Sequence, residues 1–389
     1  MFKSFRVGSV LGIPLRLDIT FLLILPVFAY LIGSEIELLV TLLAPLAAEG
    51  IDPTGLTGGI RHWLLGFAAA IGLFVCVALH ELGHSVAAKQ YGYHIDSITL
   101  WLLGGLAKLT EVPRHWYHEF TIAIAGPVVS ILCGVIALAP LAVIDGPPVV
   151  VFLLAYLGVM NLLLAVFNML PAFPMDGGRV LRSLLARKRP LPRATKLASE
   201  IGKGMAVLLG LWGLVAFNPI VIAIALFIYI AARGEAQQLL FEEALTGVTV
   251  SEIMTPIEHL RLVSPRTSIA ELFGRMFSER RTSYPVVRDG RPLGLVTLDD
   301  AQRVAEIERD AMEVRDIMIP VGPTLSLSTG ALDALRLMRD SKRDGLLVVD
   351  LDGDLAGYVS QHDVTRAFDV ARYSSSWDVA KHRPEAQRN

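Results

Sequence analysis

Apolar runs long enough to cross a bilayer fill the first 233 residues, and few features constrain a chain more. Backbone polar groups in hydrocarbon must be satisfied inside a helix or a closed barrel. A spanning helix needs roughly 20 mostly apolar residues. Six runs are candidates, at about 17–34, 62–88, 119–142, 149–170, 204–217 and 219–233. The last two are short and read as tilted segments or as a hairpin turning at Asn218 and Pro219. A further run at 36–48 is interrupted by Pro45 and reads as an extension or a segment lying beside the membrane. Residues 236–389 instead have the charge density of a soluble domain. The chain is 53% hydrophobic and 19% charged, with a mean hydropathy of +0.54, too apolar for a soluble protein of 389 residues. A multi-pass helical membrane domain followed by a soluble tail is therefore expected. The net charge of −2 offers no basic field, so nucleic acid is not an expected partner. Cys76 and Cys133 both lie in apolar runs, which argues for packing rather than a disulfide framework or a cysteine metal site.

Basic residues favour the cytoplasmic side of membrane proteins. Lys3, Arg6 and Arg16 place the N-terminus inside, and Glu35, Glu37, Glu49 and Asp52 then fall outside. Lys89 returns inside, as does the cluster Arg179, Arg182, Arg187, Lys188, Arg189, Arg193 and Lys196. Six spans put Arg233 and the tail in the cytoplasm. The early basic residues before an apolar run resemble a secretory signal, but no clear small-residue cleavage site follows and the parity needs the segment retained.

Two stretches do not fit a simple bundle. Residues 97–113 are apolar, with Gly104 and Gly105 in the middle and a terminal proline, and read as a re-entrant hairpin or strand pair. The tail repeats itself after about 63 residues: VSEIMTP at 250 matches VRDIMIP at 314, and YPVVRDGRPLGLVTLDD at 284 matches LLVVDLDGDLAGYVSQHD at 346. Each copy reads as a strand, a helix, two strands joined at Asp289–Gly290 or Asp352–Gly353, and a second helix. The two copies are expected to pack on each other.

The chemistry sits at the end of the second apolar run, in VALHELGHSVAAKQYG at 77–92. His80 and His84 are one helical turn apart on one face, the spacing with which two imidazoles reach one zinc ion. Glu81 adjoins them as a general base. The plain alternative is a polar cluster bonding between helices, but three ionisable groups within five residues of a span are costly and by default functional. A third ligand is needed. The longer metzincin pattern fails, since Ala87 and Gln90 stand where it wants glycine and histidine. Glu111, His115 and His118 are candidates by position. Asp176 is the better one, because FNMLPAFPMDGGR at 167–179 forces irregular backbone at the end of the fourth span, on the same side as His80 and His84.

His80-Glu81-Leu82-Gly83-His84, with Asp176 92 residues after His84 in NMLPAFPMDGG, resembles the site-2 protease family of intramembrane zinc metalloproteases. The Gly104–Gly105 hairpin and Ala125-Gly126-Pro127 are also similar. The resemblance implies a six-span protease that cuts a substrate's transmembrane segment, with His80, His84 and Asp176 binding one Zn2+ per chain and Glu81 activating water. It further implies substrate-holding or oxyanion roles for Asn168, with Asn161, Gly104 and Gly105 assisting. Met175 stands where leucine is usual in the family. No PDZ domain is visible between the spans, so the compact subgroup with C-terminal regulatory domains is the match.

The repeated tail resembles a tandem CBS (Bateman) module. Gly294 to Asp300 and Gly357 to Asp363 match its G-x-x-[ST]-x-x-D pattern, which implies AMP, ADP or ATP as ligand and Thr297, Asp300, Ser360 and Asp363 as its contacts. The same spacing also makes an ordinary helix start. The expected organisation is a membrane domain at 1–235, a linker helix at 236–249, CBS repeats at 250–309 and 310–370, and a polar tail at 371–389. The expected fold class is thus an α-helical polytopic membrane protein with a small re-entrant β element and a cytoplasmic α/β CBS pair, in a prokaryotic cell membrane. The expected partner is a single-span membrane protein, such as an anti-sigma factor or another membrane-tethered regulator. A homodimer is also expected from the resemblance. Rival readings are a CBS-gated transporter or channel, which should show matching halves that residues 1–233 lack, and an inactive zinc-binding chaperone, which the intact Glu81 argues against.

Overall fold

The computed structural model describes residues 4–47, 51, 56, 58–101, 104–109, 113, 115–143 and 146–381. The chain divides into two units, Met1–Gln237 and Gln238–Asn389.

The first unit opens with a β-hairpin, β1 (Ser4–Val10) and β2 (Ile13–Asp18), turning through Leu11 (φ 52°) and Gly12 (φ 77°). Two consecutive positive φ values suit the right-handed twist of the flanking strands. The Lys89 ammonium donates to the Leu11 carbonyl at 2.8 Å and ties this turn down. Asp18 ends β2 and caps α1 (Ile19–Ser34) by accepting from the Thr20 N–H at 3.0 Å. Beyond Glu35 the chain continues as α2 (Ile36–Leu43), bent 67° from α1. Then follow α3 (Arg61–Gln90), β3 (Ile95–Trp101), β4 (Gly104–Leu109), α4 (Trp116–Leu138), α5 (Pro148–Asn168), α6 (Asp176–Ala186), α7 (Leu191–Val215) and α8 (Pro219–Leu245). Five of these helices are long and apolar enough to span a bilayer, and the bent α1–α2 pair makes six at most. Ala69, Ala70, Phe152 and Ala155 are sealed in the core that α1, α2, α3 and α5 share. Leu64, Phe67, Ile71 and Val75 on α3, and Leu132, Val135 and Ile136 on α4, face outward, as a bundle solvated by lipid requires.

Three sequence expectations change. The pair at 97–113 exists as β3 and β4, but within a four-stranded sheet of order β1-β2-β3-β4 in which β2 and β3 run parallel. The N-terminal hairpin that completes it was not anticipated, because seven- and six-residue strands beside a long apolar helix carry a weak periodic signal. Residues 102–103 and 110–112 of that stretch, with Glu111, lie outside the described residues. The last two spans are not short: α7 has 25 residues and α8 has 27, joined at Phe217 (φ 48°) and Asn218, whose side chain caps the Ile220 N–H at 3.0 Å. The stretch expected as a linker helix from 236 is, as far as Leu245, the uninterrupted end of α8.

The second unit holds α9 (Val250–Ile253), β5 (Thr255–Pro256), α10 (Ile269–Glu279), β6 (Ser283–Arg288), β7 (Arg291–Thr297) and α11 (Leu298–Gln302) in the first copy of the repeat. The second copy holds α12 (Val314–Ile317), β8 (Ile319–Pro320), β9 (Leu325–Ser326), α13 (Ala331–Asp340), β10 (Gly345–Val349), β11 (Leu355–Ser360) and α14 (Gln361–Lys381). The copies exchange their leading segments: β5 joins the sheet β5-β11-β10-β9 and β8 joins the sheet β6-β7-β8. Val250 is accordingly sealed in the core of the second copy, and Val314 in that of the first. Reciprocal backbone bonds lock the exchange, Val250 N–H to Thr329 O at 2.8 Å and Val314 N–H to Thr267 O at 2.9 Å. Asp289 and Gly290 make the expected tight turn, with φ of 53° and 83°. The second turn is longer, held by Asp350 Oδ1, which accepts from the N–H groups of Asp352 and Asp354 at 3.0 and 2.9 Å. The stretch expected as a polar tail begins inside α14, and residues 382–389 lie outside the described residues.

Candidate metal centre

His80 and His84 project from the last third of α3 and are 3% and 6% exposed, deep burial for two imidazoles. Their Nε2 atoms are 3.1 Å apart, and each is 3.1 Å from Asp176 Oδ2. Asp176 is the first residue of α6 and is buried. Among the described residues these three form the one His, Cys, Asp or Glu group whose ligand atoms converge tightly enough for a metal ion. Ligand atoms on a four-coordinate zinc with bonds of about 2.0–2.1 Å lie roughly 3.3 Å apart, so the donor set fits such an ion.

The outward nitrogens are already engaged. His80 Nδ1 meets Ser130 Oγ at 2.8 Å, and His84 Nδ1 donates to the Ile122 carbonyl at 2.7 Å. An imidazole that donates through Nδ1 presents the Nε2 lone pair, the tautomer a metal requires. Both partners lie on α4. Pro127 removes the N–H that would bond the Ala123 carbonyl, loosening the ladder next to Ile122. Gly126 completes the cradle: a Cβ there would collide with His84 Nε2 and stand 2.7 Å from His80 Nε2. That glycine belongs to the AGP motif noted in the sequence, and the contact gives its physical reason.

Glu81 is half-buried beside the histidines, with its side chain against β4. A Cβ on Gly105 would overlap Glu81 Cγ and approach Oε1 to 3.0 Å, so this crossing requires glycine. Gly104 has φ of 131° and open space around it. The asparagines are placed differently. Asn161 Nδ2 donates to Leu157 O at 2.7 Å and Asn168 Nδ2 to Leu164 O at 3.0 Å, so both amides bond their own helix. Asn161 Oδ1 is buried without a partner among the described residues. Of the other third-ligand candidates, His118 stacks on Tyr91 with ring centroids 4.1 Å apart and shares a 3.1 Å hydrogen bond with Tyr93, and His115 precedes α4. In the second unit, Thr297 with Asp300 and Ser360 with Asp363 form reciprocal caps at the starts of α11 and α14.

Sequence reasoning missed Ser130, the Ile122 carbonyl and a buried ion cluster. Glu119 on α4 accepts from Arg182 Nε at 2.6 Å, and Arg182 also donates to Glu235 at 2.8 Å. By sequence Arg182 counts in the basic cluster that sets orientation, with no role in the fold expected, and it is 4% exposed. A serine and a glutamate inside an apolar run were the available signals.

Residues 68–150 and 147–209 match the model of Peptidase family M50, and residues 250–306 and 314–370 each match the CBS domain. A zinc metalloprotease of Methanocaldococcus jannaschii is 35% identical over 371 residues, covering 94% of this chain and 96% of that protein. Rip3 of Mycobacterium tuberculosis is 33% identical over 338 residues, covering 82% of this chain and 85% of its own. The solved site-2 protease of Methanocaldococcus jannaschii aligns at 39% identity over 60% of this chain and 95% of that one, with a TM-score of 0.42. The chain belongs to peptidase family M50, the zinc metalloproteases of site-2 protease type, and carries a C-terminal pair of CBS domains.

Proposed function

We propose that this chain hydrolyses a peptide bond within or near the transmembrane segment of a single-span membrane protein, of the anti-sigma factor or membrane-tethered regulator kind. The observation that carries the reading is the convergence of His80 Nε2, His84 Nε2 and Asp176 Oδ2 at 3.1 Å, with both Nδ1 atoms engaged elsewhere. These three side chains would hold one zinc ion per chain. When bound, zinc supplies Lewis acidity toward a carbonyl oxygen and toward water. Glu81 takes the proton from the attacking water and returns it to the leaving nitrogen. Its place against Gly105 puts the base beside β4, an edge strand of the sheet. A helical substrate hides its carbonyls in its own hydrogen bonds, so local unwinding must precede attack. Pairing as an extended strand along β4 would expose the bond and align it by backbone hydrogen bonds. Asn161 and Asn168 serve substrate binding only after leaving their helix carbonyls. The basic clusters argue that the centre lies near the cytoplasmic face of a prokaryotic membrane, with the CBS pair in the cytoplasm.

Purified protein should contain zinc near one equivalent per chain in wild type and in Glu81→Gln alike, and only wild type should cleave. Folded, metal-free protein that still cleaves would overturn the reading.

We assign adenine nucleotide to the C-terminal unit as a regulatory ligand. The support is the G-x-x-[ST]-x-x-D pattern at Gly294 to Asp300 and Gly357 to Asp363, whose Thr297 and Ser360 hydroxyls stand at the starts of α11 and α14. Calorimetry of the full-length protein with AMP and with ATP should give saturable heat. The absence of heat with both would refute this ligand.

A further inference from the structure

One face of α4 touches both histidines and the helix that carries Asp176. Glu119, Ile122, Gly126 and Ser130 recur at three- and four-residue spacing, so they lie along a single stripe of the helix. Ile122 O and Ser130 Oγ hold the histidine Nδ1 atoms, and Gly126 admits both rings. Glu119 takes the remaining task, because it binds the helix that carries the third donor. Both Nε and one terminal nitrogen of Arg182 lie 2.6 Å from Glu119 Oε1.

Arg182 stands six residues beyond Asp176 on the eleven-residue α6, and so on a different face. Asp176 faces the histidines, while Arg182 faces Glu119 on α4 and Glu235 on α8. Its guanidinium also lies over the Phe173 ring, 5.1 Å from the centroid, in the irregular segment that leads into Asp176. Four elements thus meet at one buried cation. Burying a guanidinium with two carboxylates is a poor way to gain stability, since desolvation offsets most of the attraction. Glu119 Oε2 is left buried with no partner among the described residues, which underlines that cost. The cluster does, however, fix direction, because a planar fork accepts few geometries.

We infer that Arg182 is a positioning residue which, through Glu119, Glu235 and Phe173, sets α6 so that the Asp176 carboxylate lies against the two Nε2 atoms. The inference rests on the zinc reading of the site.

The test uses full-length protein in detergent, stripped and reloaded with Zn2+ or Co2+ alone. Affinity is read by chelator competition and coordination by the visible Co2+ spectrum. Arg182→Gln should bind Zn2+ at least tenfold more weakly, with a Co2+ spectrum displaced toward that of Asp176→Asn. Arg182→Lys should recover part of the affinity, since an ammonium restores the charge but not both arms of the fork. Wild-type affinity and spectrum in folded Arg182→Gln would overturn the inference. If that variant does not fold, Arg182→Lys and Glu119→Gln decide, and wild-type values in both overturn it. Failure of wild type itself to bind either metal would count against the zinc reading instead.

Discussion

At the residue scale the candidate site consists of three side chains whose donor atoms converge and a set of contacts that fix them. The convergence of these candidate donors was legible, because His-x-x-x-His on a helix puts two imidazoles on one face and the segment leading into Asp176 is too rich in proline and glycine to continue the preceding helix. The fixing contacts were not. Ser130 and the Ile122 carbonyl reach the histidines across 50 and 38 residues of sequence, and no local pattern reports such pairs. Ser130→Ala should lower zinc affinity by about tenfold, the usual effect of losing a hydrogen bond to a metal-binding imidazole. Chelator competition checks this, and unchanged affinity would mean the 2.8 Å contact does not orient His80. Gly105→Ala tests a different contact. The added methyl displaces Glu81, so cleavage should fall on the order of a hundredfold while zinc content stays at the wild-type level.

At the scale of elements, hydropathy located the spans to within a few residues at most ends, since the bilayer imposes length and composition together. It misjudged α7, whose first turns carry Lys196 and Glu200 and do not read as apolar. It also missed the hairpin β1–β2. In the second unit the repeat was visible, but its exchange of leading segments was not, because a two-residue strand has no periodicity. That exchange has a measurable consequence. Val314 belongs to the second copy by sequence and to the core of the first by packing. Val314→Ala should cost about 2 kcal/mol, from two buried methyl groups, and should loosen β6 and β7 of the first copy. Hydrogen exchange on the two sheets would detect it. Protection lost only in β10 and β11 would contradict the exchanged topology.

At the scale of the whole molecule, the proposed function has a lipid-facing bundle carry the candidate metal centre to chain segments that water does not reach. α3 is both the wall of the bundle and the carrier of His80, Glu81 and His84, so the long apolar run and the ionisable cluster at its end belong to one device. Sequence alone located the spans and the converging side chains because membrane solvation and a His-x-x-x-His spacing both leave local marks. Substrate identity leaves none in the enzyme. The most direct test is to co-express the protein, as wild type and as Glu81→Gln, with candidate single-span proteins and to map fragment ends by mass spectrometry. The account predicts new ends inside or at the edge of the substrate's apolar span, in wild type only. Ends confined to regions remote from the span, or equal cleavage by Glu81→Gln, would contradict it.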